Sequence, residues 1–167
     1  MNIRKFLIVF AAVSNLLLVD AVTKELAAYY LKNSMPVSLV EGFFSLAYVE
    51  NRGCAWGMLQ GQVWPLAVFG ILALSFLVWQ RKSIFQSIPG SKLSAFAVSS
   101  AEILLYSGII GNLIDRIYRG YVIDFIDIHY QEAYHFPCFN FADAFICTAA
   151  FILVLTSLMA GRAGKSA

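Results

Sequence analysis

The chain reads as an α-helical integral membrane protein: four transmembrane helices, both termini cytoplasmic, and a small extracytoplasmic β-sheet and loop region. Three observations give that class. Of its 167 residues 60% are hydrophobic and only 13% charged, with a mean hydropathy of +0.72, outside the range of ordinary soluble domains. Four apolar stretches approach the ~20 residues that a helix needs to cross a bilayer. The segments between them alternate in charge bias, as the positive-inside rule requires.

The first span is expected over residues 6–22. Arg4 and Lys5 followed by the uncharged run Phe6 to Val19 look like the start of a signal peptide. The run leads into Asp20, Lys24 and Glu25 without a small-residue cleavage site, so it is expected to be retained. The outer loop 24–62 follows, and its stretch 37–50 is β-branched and aromatic, which predicts one or two short strands. An open sheet edge cannot face lipid, so these strands belong at or above the outer interface. The second span is expected over 63–79, with Pro65 in its first turn, where a missing N–H costs nothing. The third covers 93–114 and carries one charge, Glu102. The second outer loop, 115–140, contains an alternating run from Tyr121 to His129 that suits extended backbone. Its Tyr130, Tyr134, His135 and Phe136 fit an interfacial aromatic belt. The fourth span is expected over 141–160. Length makes residues 1–167 a single domain.

Orientation comes from the loops. Segments 1–5, 80–92 and 160–167 hold Arg4, Lys5, Arg81, Lys82, Lys92, Arg162 and Lys165 and no acid. Segments 24–52 and 115–140 hold five basic and seven acidic residues. Both termini are therefore expected inside and the two long loops outside.

A net charge of +2 gives no basic surface for nucleic acid. Cys54, Cys138 and Cys147 form no zinc-binding spacing and are expected to be small apolar fillers. His129 and His135 are read as loop residues with no His-x-x-x-His pair. No serine sits in a Gly-x-Ser-x-Gly turn, and no lysine is expected at membrane depth to serve a Ser/Lys dyad. Neither a metal nor a cofactor is expected.

Carboxylates remain. Asp143 falls in the first turn of the fourth helix, where the helix dipole favours its charged form and Asn140 is placed to cap. Asp124 lies in the segment that returns from the third helix to the fourth on the same outer side, so it can reach Asp143. Asp127 is its rival: three residues on, it faces roughly the opposite way in an extended segment, and spacing alone does not choose. Two carboxylates at close range cannot both ionise near neutral pH, so one keeps a proton. A water between them then has a base on one side and an acid on the other.

Three blocks sharpen this. Asn51-Arg-Gly-Cys-Ala-Trp-Gly57, the run from Gly111 to Phe125, and Phe139-Asn-Phe-Ala-Asp143 resemble the N-x-G-x-A-F-G, G-N-x-x-D-R-x-x-x-G-x-V-x-D-F and F-N-x-A-D patterns of bacterial lipoprotein signal peptidases (signal peptidase II). Asp20 with Thr23-Lys24 resembles a weaker D-x-x-T-K block. The resemblance implies an aspartyl endopeptidase of the bacterial cytoplasmic (inner) membrane, its active site toward the outer face. It implies removal of signal peptides from diacylglyceryl-modified prolipoproteins, with cleavage before the lipidated cysteine, and contact with membrane phospholipid. By motif, Asp124 and Asp143 match the catalytic pair. Asn51, Gly53, Asn112, Asp115, Arg116 and Asn140 match residues that shape the site or bind substrate, and Asp20 and Lys24 match supporting positions. Nothing in the sequence requires more than a monomer.

Other expectations follow from chemistry. Arg116 suits a lipid phosphate or a peptide carbonyl, or an interface pair with Asp115. Asn51 and Asn112 suit an extended substrate backbone. Gly53 and Gly57 let a loop lie close to substrate. Trp56 stands where phenylalanine is usual, Ala21 follows Asp20 where glutamine is common, and Ser107 to Gly111 is bulkier than the family pattern, which predicts wider helix spacing there. Glu102 lies ten residues before Asn112, roughly 15 Å deeper, and is expected to be protonated and bonded to Ser14 or Asn15. The competing function is a small transporter or proton-relay subunit, which would spread acids through the membrane depth.

Overall fold

The computed structural model describes residues 3–85, 92–131 and 133–163. Of the residues expected at the inner ends, the side chains of Lys92 and Arg162, and Lys165 altogether, lie outside that description.

Helix α1 runs unbroken from Ile3 to Leu31. Nothing within it, neither proline nor glycine, interrupts the backbone ladder, so it continues well past residue 22, where the span was expected to end. Strands β1 (Val37–Val40) and β2 (Phe44–Asn51) follow, then a single 3-10 turn at Ala55–Gly57. Helix α2 (Val63–Trp79) and the short α3 (Arg81–Phe85) lead to α4 (Lys92–Arg119). Strands β3 (Val122–Tyr130) and β4 (Tyr134–His135) precede α5 (Phe141–Ala163). Among the described residues, three helices are long and apolar enough to cross a membrane: α1, α4 and α5, and α2 is a shorter apolar helix.

The strands form one antiparallel sheet in the order β1-β2-β3-β4. Between Leu46 and Val49 the β2–β3 register slips by one residue, a bulge after which Val49 faces Asp124 and Asn51 faces Val122. Phe139 then pairs with Ile126, donating to its carbonyl at 3.1 Å and receiving its N–H at 2.9 Å. The sheet rests on the end of α1, with Ala27 and Leu31 packed against Ile123 and Phe125.

Helix α4 is the central post, touching α1, α2 and α5. A Cβ at Gly108 would collide with the Ala142 carbonyl and with Ile146, and one at Gly111 would stand 2.7 Å from Asp20 Oδ2. Both glycines thus face the neighbouring helices, and the wider spacing expected for this stretch does not occur. Ile109 turns toward a cavity instead.

Two further expectations are corrected. Glu102 is not bonded to Ser14 or Asn15: both its oxygens meet Arg81, one arm being Arg81 Nη2 to Oε2 at 2.9 Å. The short α3, packed against both α2 and α4, carries Arg81 to it, while Asn15 donates to Ala11 of its own helix. His129 and His135 are not loop residues either. They are register partners across β3 and β4, with rings stacked 5.0 Å apart.

Candidate active site

Asp124 is buried in β3, and Asp143 lies half-buried in the first turn of α5. Asn140 joins them. Its side-chain amide donates to Asp124 Oδ1 at 2.7 Å, and its backbone N–H donates to Asp143 Oδ2 at 3.2 Å. Asp143 N–H returns a bond to Asn140 Oδ1 at 2.9 Å, a reciprocal cap that satisfies two helix-start donors at once. The Ile126–Phe139 bridge fixes the chain just before Asn140, so sheet register sets the approach of the two carboxylates.

Each carboxylate has a second amide. Asn51 Nδ2 donates to Asp124 Oδ2 at 2.9 Å, and Asn112 Nδ2 donates to Asp143 Oδ1 at 2.7 Å. Burial, and then the neighbouring Asp143, push the Asp124 carboxyl up to about 7, against the amide bonds and the more distant Lys24 that favour its charge. A carboxyl there is about half protonated at neutral pH.

Beneath the pair lies a charged layer. Lys24, only 1% exposed, sits 2.8 Å from Asp20 Oδ2 and 2.9 Å from Asp115 Oδ2 and donates to Asn112 Oδ1 at 3.1 Å. Asp20 Oδ1 accepts the backbone N–H of Ala142 at 2.9 Å, so α1 supplies an anion to the N-terminus of α5. Arg119 closes the layer from Asp115 at 3.0 Å and pairs with Glu25. Lys24 is therefore not part of an exposed loop, as its position after the expected first span suggested. Its partners lie near residues 112 and 115, and that pairing makes burial tolerable.

Arg116 does not pair with Asp115, which Lys24 and Arg119 occupy. It donates to the Gly53 carbonyl at 3.1 Å and to Asn112 O at 3.3 Å, pinning the loop 52–61 over the site. A Cβ at Gly53 would strike the Met58 carbonyl, so that glycine lets the loop fold on itself. Gly57 has open space around it and a φ of +69°. Beside it Trp56 holds a φ of 60°, a conformation that costs a non-glycine residue of order 1–3 kcal/mol.

Asp124, Asp143, Asn51, Asn112 and Arg116 line one cavity of about 860 Å³ that opens between α2, α4 and α5. Its remaining wall is mostly apolar: Leu66, Phe69, Ala73, Ile109, Leu113 and Ile146. Asp127 is absent from it and faces His129 and His135 on the other side of the sheet.

All three cysteines are free and border the cavity. Burial, and then Asp124, push the Cys138 thiol up to about 12, so it stays protonated. Neighbours in the sequence were the available signal. Cys54 stands inside the Asn51–Gly57 block, Cys138 directly precedes Phe139, and Cys147 is one helical turn past Asp143. Trp56, packed edge-on against Phe136 at 5.7 Å, completes the rim.

Comparison with known proteins is consistent along the chain. The family model for signal peptidase (SPase) II matches residues 12–159. A lipoprotein signal peptidase from Syntrophotalea carbinolica is 37% identical over 158 residues, 93% of each chain. Another, from Clostridium acetobutylicum, is 35% identical over 139 residues, covering 83% of this chain and 86% of the relative. A solved bacterial membrane enzyme superposes with a TM-score of 0.74 at 28% identity, over 90% of this chain and 87% of that one.

Proposed function

Because the chain belongs to the signal peptidase II family of aspartic-type proteases, we propose that it removes signal peptides from diacylglyceryl-modified prolipoproteins, cutting before the lipidated cysteine, with Asp124 and Asp143 as catalytic pair. One observation carries the assignment of the pair: Asn140 bonds Asp124 with its side chain and Asp143 with its backbone, at the polar end of an otherwise apolar cavity.

Asp143, at a helix N-terminus that favours negative charge, takes a proton from the attacking water. Asp124, raised to about 7, holds the other proton. The water oxygen bonds to the scissile carbonyl carbon while Asp124 gives its proton to the carbonyl oxygen. Asp143 then passes the water's proton to the leaving nitrogen, the C–N bond breaks, and the proton on the former carbonyl oxygen returns to Asp124. Asn51, Asn112 and Asn140 hold the two carboxyls, leaving the lone pairs that face the cavity to the water and the peptide. Asp20 and Lys24 support this arrangement from below.

The lipid chains of the substrate belong in the apolar part of the cavity, among Leu66, Phe69 and Ile146, where phospholipid tails also reach. In this arrangement α2 is a fourth span, both termini are cytoplasmic, and the pair faces the outer side of the bacterial inner membrane. A monomer suffices. No observation favours a transporter, since the deep acid, Glu102, is paired with Arg81.

The test is cleavage of a diacylglyceryl-modified prolipoprotein by purified protein beside Asp124→Asn and Asp143→Asn. Wild type should cut, and both variants should bind substrate without cutting. Cleavage surviving in either variant would transfer the role to Asp115 or Asp127.

A further inference from the structure

We propose that Asp127, His129 and His135 bind a divalent transition-metal ion of the zinc class, at a site separate from the aspartate pair and independent of the peptidase reading. The three residues meet because of strand geometry. Asp127 and His129 are two apart on β3 and so share a face, and His135 is the register partner of His129 on β4. Their ligand atoms all lie within 4.8 Å of one another. His129 Nδ1 is 3.4 Å from Asp127 Oδ2, and His135 Nδ1 is 3.3 Å from Asp127 Oδ1.

The two His–Asp spacings, each to a different Asp127 oxygen, are those of neighbouring ligands on a tetrahedral ion. Within the 4.8 Å bound, a small closing movement brings one atom from each residue to that separation. Zinc bonds of about 2.0–2.2 Å to nitrogen or oxygen put neighbouring ligands about 3.4 Å apart. The bland alternative is a hydrogen-bonded His–Asp–His cluster. It does not fit the inner imidazole, because His129 Nδ1 is buried and, although 3.4 Å from Asp127 Oδ2, makes no hydrogen bond to it or to any other described residue. Two imidazoles and one carboxylate favour zinc, copper or nickel over calcium or magnesium, whose ligands are oxygen. His135 is the accessible member, its side chain 56% exposed, so an ion has an entry path. Three protein ligands leave the fourth position to water.

The site also touches the rest of the molecule. Asp127 and His135 share a surface groove with Phe136, Pro137 and Cys138, and that stretch continues into the cavity wall. An ion clamping β4 to β3 would fix Phe136 and, through their edge-on contact, Trp56.

The experiment is calorimetric titration of metal-free, full-length protein in detergent with zinc chloride alone, read beside the thermal unfolding midpoint. One equivalent should bind and raise the midpoint. His135→Gln, on an exposed side chain, should keep the fold and weaken binding roughly tenfold or more, and His129→Gln should do the same. Cobalt(II) in place of zinc should give the visible absorption of a tetrahedral ion in wild type and lose it in both variants. Absence of saturable binding in wild type overturns the proposal, as does undiminished binding in the His129→Gln/His135→Gln double variant. Binding that is lost in Asp124→Asn but kept in the histidine variants would put the ion on the aspartates and overturn it as well.

Discussion

The Lys24 ammonium donates to the side-chain oxygen of Asn112 at 3.1 Å, and this contact decides which end of Asn112 meets Asp143. With its oxygen occupied by Lys24 and by the amide of Asn140, Asn112 can offer Asp143 only its NH2 group. A lysine on the first helix thereby orients a donor on the fourth toward a carboxylate on the fifth.

Replacing Lys24 with methionine should be severe. Asp20 and Asp115 would lose their shared cation while buried, a loss that typically costs 3–5 kcal/mol. The thermal midpoint should fall by many degrees, and the remaining folded fraction should cleave more slowly because Asn112 is free to flip. An unchanged midpoint would show that the buried charges find other partners.

Asp124 should destabilise the fold as pH rises. Its folded value near 7 lies above the ordinary 3.8, so between these limits the folded state binds more protons than the unfolded one. Stability from this group is complete below about pH 4 and is lost as pH rises through 7, by up to roughly 4 kcal/mol. Asp124→Asn removes the titration, so its midpoint should gain on wild type between pH 5 and pH 8. A constant difference across that range would contradict the assignment.

The same group sets the alkaline limb of catalysis. If Asp124 supplies the proton, kcat/KM should fall about tenfold per unit above pH 7. A profile flat to pH 9 would mean that another group donates.

Gly111→Ala should separate three helices at one point. The new methyl would lie 2.7 Å from Asp20 Oδ2 and 3.3 Å from Ala142 Cβ, where α1, α4 and α5 converge. Overpacking of this kind costs about 1–3 kcal/mol, and here it also pushes Asp20 off the Ala142 N–H. Thermal unfolding and cleavage should both decline; Gly57→Ala, in open space, should suffer only from its positive φ.

Local pattern carried the helices: the strongly apolar stretch 63–79 is α2, and α5 begins at Phe141, where Asn140 and Asp143 signal a cap. The strands at 37–51 and 122–130 were visible in their alternation and β-branched content. What sequence could not show was pairing at a distance. Asp20, Lys24 and Glu25 looked like the polar end of a span because their partners, Ala142, Asn112, Asp115 and Arg119, are remote in the chain. The role of Arg116 on the Gly53 carbonyl, the Arg81–Glu102 pair and the facing histidines were hidden for the same reason.

The bond from Ala142 to Asp20 spans 122 residues, from the last helix back to the first. A chain threaded into the bilayer from its amino terminus holds Asp20 ready long before Ala142 is synthesised. Until the final helix is seated, neither Asn140 nor Asp143 has a place in the pocket, and the earlier segments have only half of the acid pair. If Asp124 and Asp143 are the cutting pair, activity begins only when the closing helix brings Asn140 and Asp143 against Asp124.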